Sequence, residues 1–337
     1  MNDNPPRLIG LDWGTTSCRA YLLGEGGAVL DRRLDGRGVL PLSRSSEGRS
    51  AAFEGELAAL CGDWLRAAPG LPLVACGMVG SNQGWAEASY RHLPVDLSER
   101  PDSLTEVATA MGTLFIIPGL FKDGRTGSPG DHPDVIRGEE TQLLGALPSE
   151  ADRGDSPAVV VLPGTHTKWL RLDATLVSDF VTTMTGELFG LVMEHSIIAR
   201  LAEEPSAPDL AAFDRGLDVV FTADHDSAPA APADIATSLF SARTLVMAGE
   251  LEPSAVKDYV SGLMIGAEVE QFARRWIGEQ DTVGTPITIC ASAQLGSRYA
   301  RALERAGIAS ALAPEDAVVT GLWRTAVALG LIDKEAS

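Results

Sequence analysis

The segment Asp12-Trp13-Gly14-Thr15-Thr16 sets a carboxylate, a glycine and two hydroxyls directly after the apolar run Leu8-Ile9-Gly10-Leu11. A Gly-Thr-Thr turn between strands can aim its N–H groups and hydroxyls in one direction, forming a nest for phosphate oxygens. A carboxylate at the end of a buried strand can hold hydrated Mg²⁺ through water, the role expected of Asp12. The same residues also suit an ordinary β-turn. A second copy raises the phosphate reading: Val159-Val160-Val161-Leu162 runs into Pro163-Gly164-Thr165-His166-Thr167, with Gly164 150 residues after Gly14. Leu162 stands where Asp12 stands, so only the first loop is expected to serve a metal. Arg19 and Lys168 follow their loops on strands, where each either neutralises phosphate charge or faces solvent.

Three further segments carry polar groups suited to chemistry. Gly80-Ser81-Asn82-Gln83-Gly84-Trp85 offers hydroxyl, amide and indole groups without net charge, suited to a substrate's hydroxyls and carboxylate, or else to a turn with a packed tryptophan. Arg137-Gly138-Glu139-Glu140 opens a helical pattern, where two first-turn glutamates are favoured by the helix dipole with or without a catalytic task. Asp179, Thr182, Thr183, Thr185 and Glu187 form a polar group that suits either substrate contact or helix capping. Other nucleotide signatures do not compete: there is no GxxxxGK[ST], and Gly24-Glu25-Gly26 lacks a third glycine.

The elements that must position these groups alternate between strand and helix. Leu8–Leu11, Cys18–Leu23 and Ala28–Leu34 read as an antiparallel meander, with Gly24–Gly27 as a hairpin turn. Phe53, Leu57, Leu60, Trp64 and Leu65 give helical spacing from about Ser50 to Ala67, and Leu73–Cys76 reads as a short buried strand. Leu114–Pro118 and Val159–Leu162 read as strands, and Glu139–Leu147, Leu210–Arg215, Ala255–Trp276 and Leu295–Ala306 as helices. Ile287–Cys290 is a strand, and Gly321 is expected to open a final apolar helix through Leu331. Pro148–Pro157 has linker composition, and Glu203–Asp234, rich in Pro, Ala and Asp, reads as a surface excursion.

At 337 residues the chain suffices for two domains. Acidic residues outnumber basic ones 46 to 27, giving a net charge of −19 and arguing against a nucleic-acid partner. The apolar run after Arg7 breaks at Asp12, so no signal peptide or spanning helix is read and a cytoplasmic protein is expected. Cys18, Cys61, Cys76 and Cys290 form no CxxC, and the five histidines show no HExxH spacing, so no disulfide framework or zinc site is expected.

In five segments the chain resembles the sugar-kinase, actin and heat-shock-70 superfamily, and within it the 2-dehydro-3-deoxygalactonokinase family. They are Asp12–Thr16, Gly77–Trp85, Arg137–Gly145, Pro163–Trp169 and Met184-Thr185-Gly186-Glu187-Leu188. The resemblance implies an α/β fold of two ribonuclease-H-like domains with a nucleotide cleft between them. The first would be 1–148 completed by a C-terminal helix near 315–337, and the second 157–314. It implies ATP and Mg²⁺ as cofactors and phosphorylation of 2-dehydro-3-deoxy-D-galactonate to its 6-phosphate in galactonate and galactose catabolism. A kinase for another sugar or sugar acid, a regulatory ATPase of the same fold, and an enzyme with water as acceptor stay open. By the same resemblance Gly14, Thr15, Thr16 and Gly164, Thr165, His166, Thr167 hold phosphates, and Gly80, Ser81, Asn82, Gln83 and Trp85 hold the acceptor. Glu139 stands where related kinases carry an aspartate base, one carbon shorter, which leaves Glu140 and more weakly Asp134 and Asp179 as alternatives. Ala291 and Ser292 lie in the turn that meets adenosine, where the superfamily usually has glycine, and Gly321 matches the closing helix in position. A small sugar acid is the expected partner, no membrane is, and homo-oligomerisation is left open.

Overall fold

The computed structural model describes residues 4–124, 132–148, 157–221, 235–276 and 287–333. The chain divides into two compact units, one of residues 1–155, 172–179 and 316–337, the other of 156–171 and 180–315. Residues 149–156 of the expected linker, and 222–234 of the expected excursion, lie outside the described residues.

In the first unit, β1 (Leu8–Trp13), β2 (Ser17–Leu23) and β3 (Val29–Arg37) form the expected antiparallel meander. The expected hairpin turn contains a 3₁₀ turn, Glu25–Gly27. Then come α1 (Val39–Ser43), α2 (Arg49–Ala67) and β4 (Leu73–Gly77). Burial follows the helical spacing read in α2: Phe53, Leu57, Leu60, Trp64 and Leu65 all lie in the core with Trp13 and Cys18. The short strands β5 (Tyr90–His92), β6 (Val95–Asp96), β7 (Thr105–Thr109), β8 (Gly112–Ile116), β9 (Gly119–Lys122) and β10 (Asp134–Ile136) precede α3 (Glu139–Ala146). The main sheet runs β3-β2-β1-β4-β8-β7, with β4 parallel to β1 and to β8.

The second unit begins with β11 (Pro157–Leu162), β12 (Thr167–Asp173) and β13 (Leu176–Thr183), whose hairpin tip at 172–179 groups with the first unit. There Leu176 and Val177 pair with Asp96 and Val95 of β6. Then follow α4 (Thr185–His195), α5 (Leu210–Phe221), α6 (Ile235–Met247), α7 (Val256–Trp276), β14 (Ile287–Ile289), α8 (Ala293–Arg305) and β15 (Ser310–Leu312). Its strands stand in the order β13-β12-β11-β14-β15, with β11, β14 and β15 parallel. This repeats the order β3-β2-β1-β4-β8, so the likeness of the two Gly-Thr loops extends to the strands around them.

The last helix, α9 (Ala317–Ala328), returns to the first unit. Val319, Leu322 and Ala326 close a core with Leu8, Leu23 and Val74. Gly321 does not open this helix but lies inside it. A Cβ there would fall 1.9 Å from the Thr141 carbonyl oxygen, and one on Gly145 1.7 Å from that of Ala317. Only glycines let α3 and α9 approach so closely. No helix among the described residues is long and apolar enough to cross a membrane.

Candidate active site

In the first unit the candidate groups gather at the carboxyl ends of the parallel strands β1 and β4, the usual position for ligands in open α/β sheets. Register sets Asp12 beside Cys76 and Trp13 beside Gly77. Gly77 (φ 91°) and Gly138 (φ 107°) both lie in the left-handed region, and a Cβ on Gly138 would come 3.1 Å from the Gly77 Cα. That contact seats the start of α3 over the strand ends.

Asp12 is largely buried and accepts a bond from Arg19 Nη1 at 3.2 Å. Burial pushes its carboxyl above the ordinary aspartate value, Arg19 opposes this, and the nearby Glu139 adds to it. In the loop, the Gly14 N–H donates to the Ser17 carbonyl at 2.9 Å, so it is not a phosphate donor here. The carbonyls of Gly14, Thr15 and Thr16 accept from Val39, Leu40 and Gly38. Thr15 and Thr16 are exposed. Among the described residues no backbone acceptor takes their N–H groups, which leaves these two donors for a ligand.

The two glutamates of α3 differ sharply. Glu139 is half-buried, and its carboxylate accepts the Arg137 N–H at 3.1 Å. Glu140 is only 3% exposed, and its carboxylate accepts the Gly138 N–H at 2.6 Å. Burial, with Glu139 beside it, pushes the Glu140 carboxyl up to about 7. Glu140 thus braces the Gly138 turn from inside, which leaves Glu139 as the carboxylate accessible to an acceptor. Of the weaker candidates, Asp134 bonds the Val135 N–H, and Asp179 pairs with Lys122 at 2.7 Å.

The 80–85 segment divides similarly. Asn82 and Gln83 are exposed. Trp85 lies in the core, stacked on Phe53 at 5.8 Å and edge-on to Trp13 at 6.1 Å, with its indole N–H donating to Ser50 Oγ. This is the packed tryptophan, and its N–H is unavailable to an acceptor. Gly80 and Ser81 are buried.

In the second unit Gly164 is half-buried, and Thr165 and His166 are exposed. The start of α4 abuts this loop: a Cβ on Gly186 would fall 2.2 Å from the Gly164 carbonyl oxygen. The Glu187 N–H donates to the Thr165 carbonyl, and the Glu187 carboxylate meets His166 Nε2 at 2.5 Å. A helix N-terminus against such a loop adds partial positive charge where an anion would sit.

Thr167 and Lys168 turn inward, which corrects their expected contact with phosphate. Thr167 is fully buried, with its hydroxyl 3.0 Å from Tyr299 Oη. Tyr299 Oη donates to Glu268 Oε1 at 3.1 Å, so Thr167 donates to Tyr299. Lys168 is 5% exposed, and its ammonium donates to the His166 carbonyl at 2.9 Å. Trp169 and Thr183 also donate to the buried Glu268, and Thr185 to Thr183, so these two threonines are spent on structure.

Gly164, Gly186, Ser292, Gln294, Lys257 and Tyr299 line one cavity of about 450 Å³ within this unit. Ser292 precedes α8 and faces this cavity, whereas Ala291 packs on the core beside Ile289. The cavity joins the second loop to the turn expected to meet adenosine. Its α7 residues, including Lys257, Asp258 and Ser261, escaped the sequence reading because they sit within a long helical pattern. Burial pushes the Cys61 thiol up to about 12 and that of Cys290 to about 11, which disfavours the thiolate at both. Among the described residues no group of three or more His, Cys, Asp or Glu could hold a metal.

The chain is similar to known proteins along most of its length. Residues 12–325 match the family model described as 2-keto-3-deoxy-galactonokinase. The chain is 36% identical over 319 residues to the 2-dehydro-3-deoxygalactonokinase of Escherichia coli (strain K12), covering 94% of this chain and 96% of that protein. It is 35% identical over 321 residues to a Rhizobium meliloti (strain 1021) protein assigned the same activity, covering 95% and 96%. A crystal structure of a Sinorhizobium meliloti protein, also so assigned, is similar at a TM-score of 0.78 and 34% identity, covering 96% of this chain and 99% of that one. The Asp12 loop, the Gly138-Glu139 turn and the Gly164 loop all fall inside the matched span, and this chain belongs to the 2-keto-3-deoxy-galactonokinase family.

Proposed function

We propose that the chain transfers the terminal phosphoryl group of ATP to the terminal hydroxyl of 2-dehydro-3-deoxy-D-galactonate, giving the 6-phosphate. Family membership across residues 12–325 is the observation that carries this reading. In it, the units are two ribonuclease-H-like domains, 1–148 with 315–337 and 157–314, and the nucleotide is ATP.

The adenosine end occupies the cavity beside Ser292, and the phosphates are taken by the N–H groups of Thr15, Thr16 and the Gly164–His166 loop. Asp12 would hold Mg²⁺ through water. A single, mostly buried carboxylate fits that role, because Mg²⁺ carried on nucleotide phosphates needs only one or two protein carboxylates. The ion, when bound, supplies charge neutralisation on the phosphate oxygens. Glu139 accepts a hydrogen bond from the acceptor hydroxyl, aligns it with the phosphorus and takes its proton as the new bond forms. Cytoplasmic action follows from the use of ATP and a free sugar acid.

The test incubates purified protein with Mg-ATP and a panel of 2-keto-3-deoxy sugar acids, following ADP with and without acceptor. ADP release that depends on the galactonate derivative, with formation of its 6-phosphate, is expected. Release independent of acceptor would replace the kinase reading with an ATPase.

A further inference from the structure

We propose that Arg137, together with Ser81, binds the carboxylate of the acceptor; this rests on the sugar-acid kinase reading above. Arg137 lies between β10 and the Gly138 turn. Its Nη2 donates to the Ala88 carbonyl at 2.8 Å, and its guanidinium carbon stands 4.2 Å from the centre of the Tyr90 ring. One N–H and one aromatic face thus fix the plane of the group. The remaining nitrogens, Nε and Nη1, are buried and have no hydrogen-bond partner, and Ser81 Oγ is buried and unpartnered as well.

These atoms belong to one locality. A Cβ on Gly80 would fall 2.9 Å from Nη1, so Nη1 lies against the backbone immediately before Ser81. Unmet donors on a buried cation are costly, and buried polar groups in native proteins almost always have partners. A carboxylate supplies what is missing: negative charge, two oxygens for the guanidinium fork and further lone pairs for a hydroxyl. Because these donors are closed to solvent, the 80–88 segment must shift to admit it.

The place also suits a sugar acid. The Arg137 N–H donates to Glu139 Oε2 at 3.1 Å, which ties the residue carrying the guanidinium to the carboxylate assigned to the acceptor hydroxyl. Such an acceptor carries its carboxylate at one end and its reacting hydroxyl at the other. An anion site near the base therefore selects sugar acids over neutral sugars and orients the chain.

The competing role for Arg137 is structural, since its charge also lowers the neighbouring Glu140 carboxyl's pKa. The experiment compares the acid with its C1 carboxamide as acceptors. Wild-type kcat/KM is expected to favour the acid by about a hundredfold, as for loss of a charge-assisted pair. Arg137→Gln is expected to raise KM for the acid by roughly ten- to a hundredfold, leaving KM for ATP and for the carboxamide within about twofold. Ser81→Ala is expected to raise KM for the acid by a smaller factor. Equal use of acid and carboxamide by the wild type overturns the site, as does an Arg137→Gln defect of the same size on both. If Arg137→Gln does not fold, the wild-type comparison and Ser81→Ala decide. Transfer to neither acceptor would sink the kinase reading itself, a different outcome from transfer to both alike.

Discussion

A carboxylate that takes a proton must be reachable by the acceptor, and one that braces a turn need not be. In the proposed reaction Glu139 and Glu140 divide these tasks. Glu139→Gln is expected to keep nucleotide affinity within about twofold while lowering kcat by about 10²- to 10⁴-fold, checked by ATP titration and single-turnover transfer. Near-normal turnover would hand the base to Glu140 or Asp134. Glu140 has a different signature. Its carboxyl rises from 4.5 to about 7, so between those values the native state holds more protons than the unfolded one, and stability falls as pH increases. Its stabilising contribution is full below pH 4.5 and lost as pH rises through 7, a change of about 3 kcal/mol. Glu140→Gln should therefore gain melting temperature relative to wild type between pH 5 and pH 8; a constant difference would contradict this. At this scale the sequence separated residue types but not their burial. Thr167 and Trp85 were read by their hydroxyl and indole, yet both are held by groups far along the chain: Tyr299 for Thr167, Phe53 and Ser50 for Trp85.

Helix α3 carries Glu139 only as accurately as α9 holds it. The two cross through Gly145 and Gly321 with no room for a methyl group. Gly321→Ala is expected to destabilise the protein by about 1–3 kcal/mol through overpacking, read by thermal unfolding. It should lower kcat more than it raises KM for ATP, because the displaced helix carries Glu139, the proposed base. Unchanged melting temperature and kcat would mean that the crossing adapts. The elements themselves were largely readable where periodicity was strong: the opening meander, α2, α7 and α8 lie within a few residues of their expected bounds. The short strands β5, β6, β9 and β10 carry too few residues to show alternation. Gly321 looked like a helix start because closeness to Thr141 leaves no local trace.

The whole molecule carries a net charge of −19, while ATP and a sugar acid are both anions. Its summed field opposes their approach, and added salt screens that field. Raising ionic strength from about 10 mM to about 100 mM, which shortens the Debye length from about 30 to about 10 Å, should raise kcat/KM for the acid. A fall would mean that local cations such as Arg19 and Arg137 dominate the encounter. Duplication of the Gly-Thr loop was legible at this scale, and the repeated strand order agrees with it. The route of the chain has a consequence for biosynthesis. The first unit's core is finished by Val319, Leu322 and Ala326, yet Leu8, Leu23 and Val74 leave the ribosome 245 to 318 residues earlier (319 − 74 and 326 − 8). Throughout translation of the second unit that apolar face has no cover. The nascent chain therefore carries that face open to chaperones and to aggregation until α9 emerges, and the first unit's core closes only after the second unit has been made.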